Sequence, residues 1–317
     1  MSESSYAPVP QALVVGIYDN HTHLDPSGVP GSEEFDYHDH LDKGSSVGVR
    51  GVVQVGTDLE SSLWSAELAA IEPRVLAAVA IHPNDAPRYA AEGRLDEALA
   101  TIDELASRPR VRAIGETGLD YFRTAEDGRG AQHASFEAHI EIAKKYGLAL
   151  QIHDRDAHHD VFETLQRVGA PEKTVFHCFS GDADLARVAI QNGWYLSFSG
   201  TVTFKNAVDL RDALEITPRH LLLVETDAPY LTPHPFRGRL NSPYMLPHTL
   251  RGMAAHLGTD VSMLAAQITS NTEQVYGAWD AEPVTAPRDA YTDETFEMPP
   301  MTGAIRLPQL PTEESTT

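Results

Sequence analysis

Two histidines separated by one residue stand in Asp19-Asn20-His21-Thr22-His23-Leu24-Asp25, just after the apolar run Leu13-Val14-Val15-Gly16-Ile17. A run that short and that rich in β-branched residues reads as a buried strand. Alternate residues of a strand point to one face, so both imidazoles would project together. They could offer nitrogens to one divalent ion at about 2.0–2.1 Å, with Asp19 and Asp25 on the same parity. The motif alone does not decide the matter. A chain with fifteen histidines produces such pairs by chance, and two solvated or core histidines would fit equally.

The ends of later apolar runs carry the same chemistry. Gly115-Glu116-Thr117-Gly118-Leu119-Asp120-Tyr121, Gln151-Ile152-His153, Phe176-His177-Cys178 and Glu225-Thr226-Asp227 each supply a metal-type ligand. Singly, each has a plain structural explanation, as a hydrogen-bonded rim residue or a helix cap. Together, the four histidines and two carboxylates suit ions of the Zn, Mn or Mg type, and suffice for two ions if one carboxylate bridges.

The elements that must position them follow from the alternation of the chain. Strand candidates at 49–55, 75–81, 111–116, 148–153, 173–177, 194–199 and 221–226 are separated by helical segments, in which Leu95, Leu99, Ile102 and Ala106, or Phe136, Ile140 and Ala143, recur at helical spacing. With the first strand this makes eight strand-then-helix units and predicts a parallel (β/α)8 barrel of the TIM type, with an open doubly wound sheet as the alternative. Barrel enzymes place their sites at the C-terminal rim of the strands, so the polar strand ends would converge there. Alternation assigns an inward parity to Ile114 with Glu116, Gln151 with His153, and Val175 with His177. No Gly-x-Gly-x-x-Gly follows any strand, which argues against a dinucleotide site.

A chain of 317 residues with 42% hydrophobic content can build one large barrel, expected over 1–280. Residues 281–317, rich in Pro, Thr and Glu, read as a tail outside the core. The polar stretch 26–46 reads as a rim loop with a short helical piece near 35–41; its His38 and His40 repeat the paired spacing with no strand to hold them, and are not assigned to the site. No apolar run approaches the roughly 18 residues of a membrane span, and the N-terminus lacks the pattern of a secretory signal, so a cytoplasmic protein is expected. Cys178, the only cysteine, cannot form an internal disulfide and reads as a small buried residue facing away from the metals. The formal charge of −22 opposes a general grip on nucleic acid, so a polyanionic substrate would need local help from bound cations.

The motifs around Asp19–Asp25 and Gly115–Tyr121, together with His177-Cys178-Phe179-Ser180-Gly181 and Glu225-Thr226-Asp227-Ala228-Pro229-Tyr230-Leu231 running into Pro235-Phe236-Arg237-Gly238, resemble the TatD-like deoxyribonucleases of the amidohydrolase superfamily. The resemblance covers 13–277. It implies a metal-dependent TIM-barrel DNase with His21, His23, Glu116 and Asp227 around one divalent ion (Mg, Mn or Zn) and Glu116, His153 and His177 around a second, Glu116 bridging. Asn20 and the His82-Pro83-Asn84 segment depart from the family's usual residues without removing an expected ligand.

Arg123, Arg155, Arg237 and Arg239 follow strand ends and are candidates for phosphate contacts, with His82 beside them. Salt bridges to nearby aspartates are the competing explanation, above all for Arg155 between Asp154 and Asp156. Tyr121 and Phe122 could stack on a base or simply pack. Glu225 shares the inward parity of Asp227 and could orient a ligating imidazole. The reading is hydrolysis of DNA phosphodiesters, with Asp227 accepting the proton. A hydrolase of amides, esters or lactones is the alternative, and a catalytically silent barrel the rival. No protein partner is inferable.

Overall fold

The computed structural model describes residues 6–25, 32 and 35–279. The strands β1 (Ile17–Thr22), β2 (Val49–Val55), β3 (Val75–Val79), β4 (Val111–Asp120), β5 (Ala149–Arg155), β6 (Thr174–Phe176), β7 (Tyr195–Phe198) and β8 (Leu222–Val224) are all parallel and pair in chain order. The Asn20 amide donates to the Val224 carbonyl at 2.7 Å and the Asp227 N–H to the His21 carbonyl at 3.0 Å, which brings the last strand back to the first. The fold is therefore the (β/α)8 barrel that the alternation predicts.

Helices α1 (Tyr37–Ser46), α2 (Leu59–Ile71), α3 (Ala86–Ala91), α4 (Leu95–Ala106), α5 (Glu126–Tyr146), α6 (His158–Val168), α7 (Ala183–Gln191), α8 (Val208–Ile216), α9 (Leu246–His256) and α10 (Val261–Tyr276) cover the outside. Side chains divide into two apolar layers. Ile17, Val52, Ile114, Leu150, Ile152, Phe176 and Val224 pack outward against the helices. Tyr18, Val53, Val55, Leu76, Ala78, Ala113, Ala149, Val175 and Leu223 pack together with Tyr276 and Trp279, which follow from the end of α10. A Cβ on Gly51 would come within 2.5 Å of the Trp279 ring, so that position has room only for glycine. With both faces buried, the strands show continuous apolar runs instead of an inside–outside alternation.

Three details differ from expectation. The first strand begins at Ile17, because Val14 is 94% exposed and the run before it lies outside the sheet. Ile114 packs outward and Ala113 inward; a register shift between Ile114 and Thr117 then turns Glu116 back to the axis, which a count by twos cannot anticipate. The helical piece of the rim loop is the longer α1, capped by Asp36, whose carboxylate accepts the His38 N–H at 2.9 Å. Its His40 is buried, with Nδ1 2.8 Å from Ser242 Oγ, so it is neither solvated nor near a ligand group. The tail at 281–317 and most of 26–34 lie outside the described residues. Among the described residues, no helix is long and apolar enough to cross a membrane.

Candidate metal centre

Glu116 sits at the centre of the rim, and its two carboxylate oxygens face different groups of histidines. Oε2 lies 3.6 Å from Nε2 of His21 and 3.9 Å from Nε2 of His23. Oε1 lies 2.6 Å from Nδ1 of His153, 2.8 Å from Nε2 of His177 and 3.4 Å from Nε2 of His82. Asp227 closes the first group, with Oδ1 3.5 Å from His23 and 3.8 Å from His21. The His21 ring stacks on His177, centroids 3.9 Å apart, so His177 stands between the two groups.

Local structure explains how each side chain arrives there. β1 shifts register between Asp19 and Thr22, so His21 as well as Tyr18 reaches the axis. Asp19 is used in that turn: its carboxylate accepts the Thr226 N–H at 2.9 Å and the Thr226 hydroxyl, tying β1 to the end of β8, and burial pushes its pKa up to about 8. Thr226 thereby fixes its neighbour Asp227, which has a φ of 52°. On the other side, Gly118 lets β4 press against β5; a Cβ there would lie 2.1 Å from the His153 carbonyl oxygen.

The residues fit divalent ions. His21 is wholly buried, and neither ring nitrogen has a hydrogen-bond partner. Such a group costs about 1–3 kcal/mol unless something else satisfies it, and a cation beside Nε2 would do so. His23 Nδ1 is 3.1 Å from the Val55 carbonyl, and His177 Nδ1 is 3.3 Å from the Glu225 carboxylate. Each acceptor calls for a proton on Nδ1, so that in the neutral ring Nε2 is bare toward the centre, as ligation needs. Glu225 also accepts the Cys178 N–H at 2.7 Å and the Ser197 hydroxyl at 2.5 Å, so it is itself held in place. The described residues contain ligand-sized groups of His21, His23 and Asp227; of His21, Glu116 and His177; and of His82, Glu116 and His153.

Without ions the cluster balances its charge with protons. Burial and the charge of His177 hold the His21 pKa down. Burial opposes protonation of His153 too, but hydrogen bonds to Asp120 and Glu116 outweigh it and raise its pKa to about 9. His177 is raised well above the usual value because Glu116 and Glu225 outweigh its burial. Glu116 is lowered, since the charge of His177 and the hydrogen bonds to His153 and His177 overcome the desolvation of its carboxylate.

The candidate substrate residues divide. Phe122 is half exposed, and the Arg155 guanidinium covers its ring at 4.0 Å, with Arg123 at 5.9 Å. Burial and the charge of Arg155 lower the Arg123 pKa, which places two cations beside the β4–β5 rim. Arg155 therefore lies on an aromatic face and not in a salt bridge to Asp154 or Asp156. Tyr121 is fixed by His133 and Asp160 at 2.7 and 2.5 Å and is not free to stack. Arg237 lies over Phe204 at 4.2 Å, and Arg239 donates to the Tyr6 carbonyl at 3.4 Å. Cys178 is partly exposed, 3.3 Å from Ser199 Oγ, and burial followed by the charges of Asp227 and Glu225 raises its pKa.

Asp120 was not singled out by its sequence. Its Oδ2 meets Nε2 of His153 at 3.3 Å and the Asn84 amide at 2.9 Å, while Oδ1 accepts the Arg123 N–H at 2.8 Å. The signal was present: β4 runs on to Asp120, and Glu116, Gly118 and Asp120 alternate along it.

Comparison with known proteins matches residues 18–277 to the family described as TatD related DNase. The chain is 43% identical to the metal-dependent hydrolase TatD of Mycobacterium tuberculosis, itself uncharacterised, over 82% of this chain and 97% of that one. It is 35% identical to the uncharacterised metal-dependent hydrolase YcfH of Escherichia coli, over 82% and 95%. The crystal structure of the Escherichia coli TatD homologue YjjV superposes with a TM-score of 0.74 at 26% identity, covering 83% of this chain and 98% of that one.

Proposed function

The chain belongs to the TatD family of metal-dependent hydrolases, and from that premise we propose that it cleaves phosphodiester bonds in DNA. The observation that carries this reading is the division of Glu116, one oxygen toward His21 and His23 and the other toward His153 and His177, beside a pair of arginines. That arrangement supports two ions sharing a carboxylate, held by His21, His23, Glu116 and Asp227 on one side and by Glu116, His153 and His177 on the other. When bound, Mg, Mn or Zn would supply Lewis acidity, lowering the pKa of water and polarising the scissile group.

The chain's own residues do the rest. Asp227, beside His21 and His23, accepts a proton from the attacking water. Glu225 keeps the His177 imidazole in its Nδ1-protonated form. Arg123 and Arg155 offset the acidity of the protein locally and meet phosphate oxygens, and the exposed face of Phe122 accepts a terminal base. Arg237 and Arg239 lie farther along the loop after β8, where they would contact only a longer strand.

The test is metal-depleted protein resupplied with Mg, Mn or Zn singly and assayed on end-labelled linear and on circular DNA. Metal-dependent cleavage supports the reading, and a ladder from one end with the circle intact identifies an exonuclease. Hydrolysis of neutral esters or lactones with no cleavage of either DNA would overturn it.

A further inference from the structure

His82 belongs by distance to the group formed with Glu116 and His153, and distance alone would make it another ligand. The hydrogen bonding of its ring points elsewhere. Nδ1 of His82 accepts the backbone N–H of Asn84 at 3.1 Å. A backbone N–H can only donate, so Nδ1 must be bare, and the one proton of the neutral ring sits on Nε2. This is the reverse of His23 and His177, whose Nδ1 atoms face oxygen acceptors. An Nε2 that carries the proton has no lone pair for a cation.

The amide that sets this tautomer is itself fixed. The Asn84 side chain donates to Asp120 at 2.9 Å and accepts from the Thr124 hydroxyl at 3.2 Å, anchoring the loop to β4. The loop is closed at its start as well, by the His82 N–H on the Thr57 carbonyl at 2.7 Å, and the Asp85 N–H returns to the His82 carbonyl at 2.9 Å. The ring is thus held edge-on to His153, centroids 4.6 Å apart, with Nε2 3.4 Å from Glu116 Oε1 but without hydrogen-bond geometry to it. The side chain keeps 13% of its surface exposed, so the N–H remains open to the rim.

We propose that His82 is a hydrogen-bond donor to an oxygen of the scissile phosphodiester and not a metal ligand, an inference that rests on the function proposed above. A rigid donor aimed at developing negative charge needs no reorganisation during the reaction, and removing one such donor costs roughly 10²–10³ in turnover.

The experiment combines three readouts on the full chain. Long-range nitrogen–proton NMR of the wild type reports the tautomer; metal content and cleavage of DNA and of bis(4-nitrophenyl) phosphate are compared for wild type, His82→Ala and His82→Gln. The proposal expects Nε2-protonated His82, unchanged metal content in both variants, a fall in kcat of about 10²–10³ for His82→Ala with little change in KM, and partial recovery in His82→Gln, whose amide can donate. An Nδ1-protonated His82, loss of an ion in either variant, or unchanged kcat in His82→Ala overturns it. Nε2-protonated His82 and retained metal in a wild type that cleaves neither substrate support the tautomer assignment and overturn the phosphodiester reading instead.

Discussion

His21 and His153 both face Glu116, yet they hold opposite proton balances. His21, on the β1–β8 side, is sealed from water and has no partner on its far nitrogen, so it stays neutral. His153, on the β4–β5 side, has a carboxylate against each nitrogen, Glu116 at 2.6 Å and Asp120 at 3.3 Å, and keeps its proton up to about pH 9. His21 is thus prepared for a cation before it arrives, whereas His153 and His177 must first release protons; beside His21, His23 is raised too, because Asp227 and Glu116 outweigh its burial. Ligands have to be deprotonated to bind, so the β4–β5 half should be the more labile and the more sensitive to pH.

The largest effect should come from the β1–β8 half. Asp227→Asn keeps the shape and one oxygen of the side chain but removes the proposed base, and turnover should fall by roughly 10²–10⁴ while folding and DNA affinity survive. Single-turnover rates, thermal stability and DNA binding on that variant check it. A loss of stability with turnover intact would mean that Asp227 merely supports the turn at Ala228-Pro229.

Acid should separate His153 from a second buried imidazole behind β4. His139 on α5 is fully buried behind β4, accepting the Ile81 N–H at 3.2 Å and lying 2.9 Å from the Thr117 hydroxyl, and burial lowers its pKa to about 3. A depressed pKa contributes stability that is complete above the unfolded value near 6.5 and is lost as pH falls toward 3, at about 1.4 kcal/mol per pH unit. His153 has the opposite sign in the metal-free protein: its contribution is complete below pH 6.5 and lost as pH rises through about 9. NMR titration of the two rings, paired with urea midpoints between pH 4.5 and 9, checks both signs. Protonation of His139 above pH 5 in the folded protein would contradict the account.

The smallest effect should come from the end of the chain. Every residue assigned to either half lies within 6–279, so truncation after Asp280 should leave the melting temperature nearly unchanged and alter the rate of the proposed DNA cleavage by less than about twofold. A tenfold drop would show that the comparison omits a part of the site.

Much of this arrangement was legible in the sequence, for a physical reason. A barrel brings every strand end to one rim, so His21, His23, Glu116, His153, His177 and Asp227 could be grouped without knowing any distance. What remained hidden were features that break the period of two. The shifts at Asp19–Thr22 and Ile114–Thr117 decide which side chains face the axis, and no residue type marks them. The exposed Val14 shows the converse, an apolar run with strand composition that the sheet does not use. The tautomer of His82 was hidden as well, because it depends on where a backbone N–H points.

The most direct test is calorimetric titration of metal-free protein with Mn at pH 7.5, in two buffers of different ionisation enthalpy, for the wild type and His153→Ala. The account predicts two steps: a tighter one that survives in His153→Ala, and a weaker one that releases about one proton or more and disappears in His153→Ala. A single class of sites without proton release, or loss of the tighter step in His153→Ala, would contradict it.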